Sequence, residues 1–328
     1  MPHRLKQAIT RFSTMKVVVV GDVMLDLFEY CYSAQSKPID SEKPGRRAYT
    51  AQALHRHPGG AGNVAANLSA LDVTALLIGV TGADGHHLTL EQLCEQRAIR
   101  ARLIRDPKRQ TTLKNRLYLD DEYLLRRDDE TTEPLSETVR ERVLNEVRCE
   151  LDGADAVILS DYAKGLFSEE LAQSVIQLCA GRALPVIVDF KPTHQSLFRG
   201  ATIIAPNAGE ARVLLPGAPF AAGDDAGLEQ DVRGLYERLA CDNIVVTLGE
   251  HGICGYDGHG FFHLPAHPVH VVDAVGCGDT VRAILALGHA AGLSLVETAD
   301  LANHAAAIAV QKLGTATVTR EELLAGGR

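Results

Sequence analysis

The sequence predicts an α/β fold, doubly wound, with a mostly parallel sheet flanked by helices and a small β-sheet beside it. Three observations carry that expectation: short β-branched runs that stay apolar without alternating, helical periodicity between them, and polar or glycine residues just past the end of each run. Strands that are apolar at every position need cover on both faces, and alternating helices supply it.

The runs in chain order are KVVVVG (16–21), LLIGV (76–80), AVILS (156–160), PVIVDF (185–190), ATIIAPN (201–207) and NIVVTLG (243–249). Helical patterns are expected over 63–71, 136–151, 168–180 and 229–240, then over 280–291 and 295–312. Two stretches break this rhythm. Residues 27–58 are polar and carry prolines, and in 110–128, QTTLKNRLYLDDEYLLRRD, apolar positions partly alternate. Both read as strands with one exposed face, which places them in a small sheet able to act as a lid that covers a ligand and excludes water. No repeat, low-complexity tract or long linker divides the chain, so residues 1–328 are expected to form one domain.

With 328 residues, 46% of them apolar and 23% charged, the chain can bury a sizeable core. Its formal charge of -9 and pI near 5.8 argue against a general attraction to nucleic acid or an acidic membrane, so an anionic ligand must be held by local groups. The seven cysteines are scattered without a C-x-x-C, and no run approaches the ~18 apolar residues of a membrane helix. A cytoplasmic protein, neither secreted nor membrane-spanning, is expected.

Polar positions gather at the ends of the predicted strands: Gly21-Asp22, Ser160-Asp161, Asp189, Asn207 and Thr247 to Gly249. In open α/β sheets that edge is where ligands bind. The stretch DAVGCGDTV (273–281) sets Gly276, Cys277 and Gly278 before a helix with Asp279 at its entrance. Its backbone N–H groups suit an anion while Asp279 accepts a proton from an attacking hydroxyl; a glycine turn with an acidic N-terminal helix residue is the plainer reading. In GGAGNVAANL (59–68), Gly60 permits close approach and Asn63 can donate to one polyol hydroxyl and accept from another, or the stretch simply feeds a packed helix. Asp22 and Asp26 in GDVMLD can accept from sugar hydroxyls or end a strand.

PNAGE (206–210) offers Asn207 and Glu210 on one helical turn, a pair that suits Mg²⁺ through its waters or a plain helix start. TLGEHG (247–252), with Thr247, Gly249 and Gly252, suits backbone contact with a nucleotide or a hairpin turn. SDYAKG (160–165), with Asp161 and Lys164, and DFKP (189–192), with Lys191, each put a lysine beyond a strand end. The thirteen histidines show no H-E-x-x-H or Cys/His ligand spacing, and neither a G-x-x-x-x-G-K-[ST] loop nor a G-x-G-x-x-G fingerprint is present.

Taken together and in this order, these motifs resemble the ribokinase-like, phosphofructokinase-B type carbohydrate kinase family across nearly the whole chain. Its signature Asp-x-x-Gly-x-Gly-Asp is matched by Asp273 to Asp279, and VVGDVMLD, GGAGNVAANLSAL, LSDYAKG, RGATIIAPNAGE and KLGTATVTREEL look most like the heptose 7-phosphate kinases of that family. The resemblance implies ATP-dependent phosphorylation of a sugar hydroxyl, with Asp279 as base and the Gly276 to Gly278 amides as anion hole. It places Asp26, Gly60 and Asn63 on the sugar. Asn207 and Glu210 would organise Mg²⁺ and phosphates, Thr247, Gly249 and Gly252 would line the nucleotide, and Asn303 would lie near the adenine. Lys114, Arg116 and Arg126 fall where those heptose kinases also carry basic residues, which suits a sugar phosphate; a solvated strand face balanced by Asp120, Asp121 and Glu122 is the alternative.

The chain departs from that pattern at Leu27-Phe28, where Arg-Tyr is usual, at Asp189-Phe190-Lys191-Pro192, where Asp-Pro-Lys-Gly is usual, and at Cys277, where alanine is usual. Another sugar or nucleoside kinase on this scaffold, or a non-catalytic sugar-binding regulator, are the competing readings. A homodimer joined through exposed strands of the small sheet is expected, as is a kinase without the nucleotidyltransferase half of bifunctional relatives.

Overall fold

The structure is a computed structural model that describes residues 2–326. The chain opens with α1 (His3–Arg11) and β1 (Lys16–Gly21), continues through β2 (Val23–Cys31) and the short pair β3 (Lys37–Pro38) and β4 (Arg47–Ala48), and returns by β5 (Ala53–Gly60) into α2 (Ala61–Ala70). Next come β6 (Thr74–Thr81), α3 (Gly85–Gln96), β7 (Arg100–Arg105) and the hairpin β8 (Thr112–Leu119) and β9 (Glu122–Asp129). Then follow α4 (Glu137–Glu150), β10 (Ala156–Ser160), α5 (Glu169–Ala180), β11 (Val186–Asp189), β12 (Ile203–Ile204), α6 (Ala208–Leu214) and α7 (Asp225–Leu239). The last elements are β13 (Asn243–Thr247), β14 (Ile253–Tyr256), β15 (Phe261–Leu264), α8 (Cys277–Ala290), α9 (Leu295–Ala309) and α10 (Arg320–Ala325).

The main sheet has nine strands in the order β15-β14-β13-β12-β11-β10-β1-β6-β7, and neighbours from β13 to β7 are all parallel. In β1, Val17 and Val19 enter the core under α2, α8 and α9, while Val18 and Val20 enter the opposite layer under α4, α5 and α7. That double burial is why the run is apolar at every position. Chain order reverses about β1, which lies between β10 and β6, so the carboxyl ends of β1 and β10 flank the switch point where open sheets form a crevice. Gly21 pairs with Ser160 and Ser160 with Asp189, which sets the three predicted strand ends side by side.

The small sheet has four strands in the order β5-β2-β8-β9. It begins at Val23 rather than residue 27, because β2 follows β1 after one residue, and β2 pairs with β8 in parallel. Sequence reading missed α1, α3, the edge strand β7 and the antiparallel strands β14 and β15, of which β15 is the other edge. Two predicted elements also end early. β12 is confined to Ile203–Ile204, with Pro206 unable to donate a ladder hydrogen bond. α9 stops at Ala309, where the next carbonyl, of Val310, accepts the Val272 and Asp273 N–H groups.

Candidate active site

Asp279 lies in the first turn of α8, buried at the carboxyl edge of the main sheet. Gly276 caps that helix with φ 79°, and a Cβ there would sit 2.8 Å from Asn63 Nδ2, so glycine is required on two counts. Asn63 Nδ2 donates to Asp279 Oδ2 at 2.6 Å, and the Tyr162 hydroxyl donates to Oδ1 at 3.0 Å. One turn on, Thr280 donates to Asn67 at 2.7 Å, which joins α2 to α8 a second time. The carboxylate is therefore aimed by groups from α2 and from the loop after β10. Burial pushes its pKa up, while Arg282 and the Asn63 and Tyr162 hydrogen bonds pull it back down.

Not every amide of the turn before α8 is free. Cys277 N–H bonds to the Ala274 carbonyl and Asp279 N–H to that of Gly276; among the described residues, the Gly276 and Gly278 amides have no backbone acceptor. Asp273 holds the turn from below by accepting from the Val275 and Gly314 amides. The Cys277 thiol is half-buried beside Ala306, and burial pushes it up to about 11, so at neutral pH it is a neutral packing group.

A cavity of about 1270 Å³ runs from Tyr162 and Asp279 along the carboxyl edge. Lys191, Asn207, Glu210, Thr247, Gly249, Gly252 and Asn303 all line it, together with the Gly276 to Gly278 turn. Asn207 and Glu210 form a capping box at the start of α6, each side chain accepting from the other's backbone N–H, and Lys191 Nζ lies 2.7 Å from Glu210. These oxygens already have chain donors, so the plain reading of PNAGE as a helix start holds, and direct metal ligation does not suit it. Among the described residues there is no cluster of three metal-ligating side chains. Gly249 and Gly252 form the turn between β13 and β14, and Asn303 Nδ2 donates to the Pro265 carbonyl, which fixes α9 against the cavity wall.

On the other side of Tyr162 lies the small sheet. Asp26 on β2 pairs with Arg116 on β8 at 2.7 Å, and the guanidinium lies 5.0 Å above the Phe28 ring. One Nη of Arg116 is thus engaged, and the rest of the fork has no partner among the described residues. Lys114 and Lys191 each place Nζ over the Tyr162 ring, at 5.5 and 5.4 Å. Lys114 is half-buried, and desolvation lowers its pKa. The half-buried Lys164 pairs with Glu130, and the exposed Arg126 pairs with Asp128.

Gly60, with φ 58°, ends β5 against Asp22, where a Cβ would strike the Asp22 carbonyl oxygen. Asp22 and Asp161 hold the loop after β10. Asp22 accepts from the Tyr162 and Lys164 amides; Asp161 accepts from the Ala163 amide and pairs with His194 at 2.6 Å. Buried carboxyls this close to orphan N–H groups are drawn to satisfy them. Phe190 points into the core and stacks on Phe198, so that departure does not reach the cavity.

Tyr162 and Arg282 are site groups that sequence reading missed. Tyr162 stands between two predicted residues of SDYAKG, and its place just past a strand end was the available signal. Arg282 looks like a stray polar residue in an apolar helix. It is buried, with Nη2 2.7 Å from Asp189 Oδ1 and Nη1 3.7 Å from Asp279 Oδ1.

Comparison with known proteins shows the family and the fold. The sequence pattern of the pfkB family carbohydrate kinases matches residues 14–322. The chain is 38% identical over 317 residues to the Bifunctional protein HldE of Trichlorobacter lovleyi, and 38% over 316 residues to that of Nitrobacter winogradskyi. These matches cover 96% and 95% of this chain but 63% of each relative, so the chain spans under two thirds of their length. Among solved structures, phosphofructokinase-2 from Escherichia coli in complex with potassium superposes with TM-score 0.76 at 19% identity, covering 95% of this chain and 97% of that one. Arabidopsis thaliana ribokinase complexed with ribose and ATP gives TM-score 0.71 at 21% identity, covering 95% and 98%. Both show a shared ribokinase-like fold.

Proposed function

The chain belongs to the pfkB family of carbohydrate kinases, and from that premise we propose that it transfers the γ-phosphoryl group of ATP to the anomeric hydroxyl of D-glycero-D-manno-heptose 7-phosphate, giving the 1,7-bisphosphate. The sugar oxygen attacks the γ-phosphorus, the bond to the β,γ-bridging oxygen breaks, and its electron pair leaves with ADP. The hydroxyl proton passes to Asp279. Asn63 and Tyr162 keep the carboxylate aimed, and the Gly276 and Gly278 amides at the positive end of α8 face the charge that builds on the phosphoryl oxygens.

Asn207 and Glu210 fit a Mg²⁺ ion that arrives with the nucleotide and keeps its waters, since their oxygens carry chain hydrogen bonds but retain further lone pairs. Such an ion would neutralise phosphate charge. Thr247, Gly249, Gly252 and Asn303 border the nucleotide end of the cavity, and Lys191 stands between that end and Tyr162. At the sugar end, Asp26, Gly60 and Asn63 face the acceptor, and the small sheet closes over it as a lid. Lys114 and the unengaged part of the Arg116 guanidinium supply the local positive charge that a sugar phosphate needs in a protein of charge -9, and Arg126 and Lys164 would join them on leaving Asp128 and Glu130. Resemblance to the heptose 7-phosphate kinases and likeness to the proteins named HldE support the choice of sugar.

The observation that carries this reading is the buried Asp279 carboxylate, fixed by two donors beside a glycine turn with unengaged amides. Asp279→Asn keeps size and placement but cannot accept the proton. Its kcat for sugar-dependent ADP release should fall about 10²-fold or more while ATP binding by calorimetry stays within a few-fold. Near wild-type turnover in that variant would remove Asp279 from the role.

A further inference from the structure

Arg282 has no part in the scheme above, yet it is the cation nearest the proposed base. It lies three residues after Asp279 on α8, its side chain 10% exposed, and it lines the same cavity. Its guanidinium sits between two carboxylates, with Asp189 at 2.7 Å on one side and Asp279 at 3.7 Å on the other. Nε has no hydrogen-bond partner among the described residues. Room for the group comes from Gly278, where a Cβ would collide with Nη1. The turn that presents the amides and the guanidinium beneath it therefore form one packed unit.

We propose that Arg282 is a positioning residue that keeps Asp279 ionised and therefore able to take a proton, with Asp189 locking the guanidinium in place. The inference rests on the reading of Asp279 as base. At 3.7 Å the contact to Asp279 is longer than a hydrogen bond, so Arg282 acts through charge, while Asn63 and Tyr162 supply direction.

The need for a cation follows from the surroundings. Asp279 is enclosed by Cys277 and Arg282 from its own helix, Asn63 from α2, Tyr162 from the loop after β10, Asp26 from β2 and Asp189 at the end of β11. Arg282 is the cation of that set, and Glu210 adds further negative charge to Asp189 and Arg282. Burial pushes Asp189 up to about 7 and raises Asp279 as well, against the pull of Arg282 in both cases. A buried carboxyl among other carboxyls takes up a proton unless a positive charge is held close. A protonated Asp279 cannot serve as acceptor, and activity would then wait for higher pH.

The test is the midpoint at which Asp279 ionises, read in two ways. In ¹³C-carboxyl aspartate-labelled protein, the Asp279 signal is assigned by its loss in Asp279→Asn and titrated in wild type, Arg282→Met and Arg282→Lys. The acid limb of kcat for ADP release is followed in the same proteins. Arg282→Met should move both midpoints up by about 1–3 pH units, and Arg282→Lys, which keeps the charge, by less than half as much. Arg282→Gln takes the place of the Met variant if that one does not fold.

A midpoint that stays in place when the charge is removed overturns the proposal, as does a kcat lowered by one factor at every pH. A shifted NMR midpoint in a protein whose Asp279→Asn variant still turns over normally would uphold the Arg282–Asp279 coupling and remove the base assignment. The two failures are thereby distinguishable.

Discussion

Asp22 is buried with its carboxyl against the Tyr162 and Lys164 amides, and desolvation together with the nearby Asp161 charge pushes its pKa up to about 6. The sign follows from the direction. A carboxyl raised in the folded state binds its proton more tightly there than in the unfolded chain, so it favours folding below about pH 4, and that contribution is lost as pH rises to about 6. Asp22→Asn keeps a hydrogen-bond acceptor without the charge. Relative to wild type, the variant should therefore gain stability between pH 4 and pH 7, by at most about 3 kcal/mol for a shift of this size. Urea unfolding at the two pH values measures it; a difference that does not change with pH would mean that Asp22 is not raised. An acidic residue just past a strand end looks the same in sequence whether it faces a sugar or a backbone turn, and only the loop that folds back onto it decides.

At the scale of elements, the proposed sugar end depends on the register of β2 and β8. That register sets Asp26 opposite Lys114 and Phe28 opposite Arg116, so one arginine spans a carboxylate and an aromatic ring. Arg116→Ala should raise KM for the sugar phosphate roughly tenfold or more and leave KM for ATP within about twofold, because charge-assisted hydrogen bonds to phosphate are lost. Equal changes in both constants would point to a general loosening of the small sheet.

The elements that were legible are those whose burial is uniform. Val17 to Val20 are buried on both sides of the sheet and announce β1 directly. The missed ones bury mixed faces: α3 places His87 and Cys94 in its interior beside Leu90 and Leu93, and edge strand β7 alternates arginine with apolar residues as RARLIR. The same holds within the site. Asp279 and its glycines could be read from local spacing, whereas the partners of Arg282 and Tyr162 arrive from distant segments and leave no local pattern.

On the scale of the whole molecule, the small sheet leaves β5 and β9 as edges and exposes Leu54, Tyr123, Leu124 and Leu125. Unpaired edges carrying apolar side chains are an aggregation hazard unless covered, and a second copy of the chain would cover them symmetrically. Light scattering at micromolar concentration should give twice the chain mass of 35.3 kDa, and a monomer would count against pairing without affecting the lid.

The cavity, the glycine turn and the small sheet converge on Tyr162, with the groups proposed for the nucleotide on one side and the basic residues of the small sheet on the other. The proposed function gives the phosphate already on the sugar a binding role of its own. The most direct measurement compares kcat/KM for ADP release with heptose 7-phosphate and with the same heptose lacking phosphate. The prediction is a preference of at least about tenfold for the phosphorylated sugar, the scale of one charge-assisted contact; equal values for the two would contradict recognition of the phosphate and with it the proposed substrate.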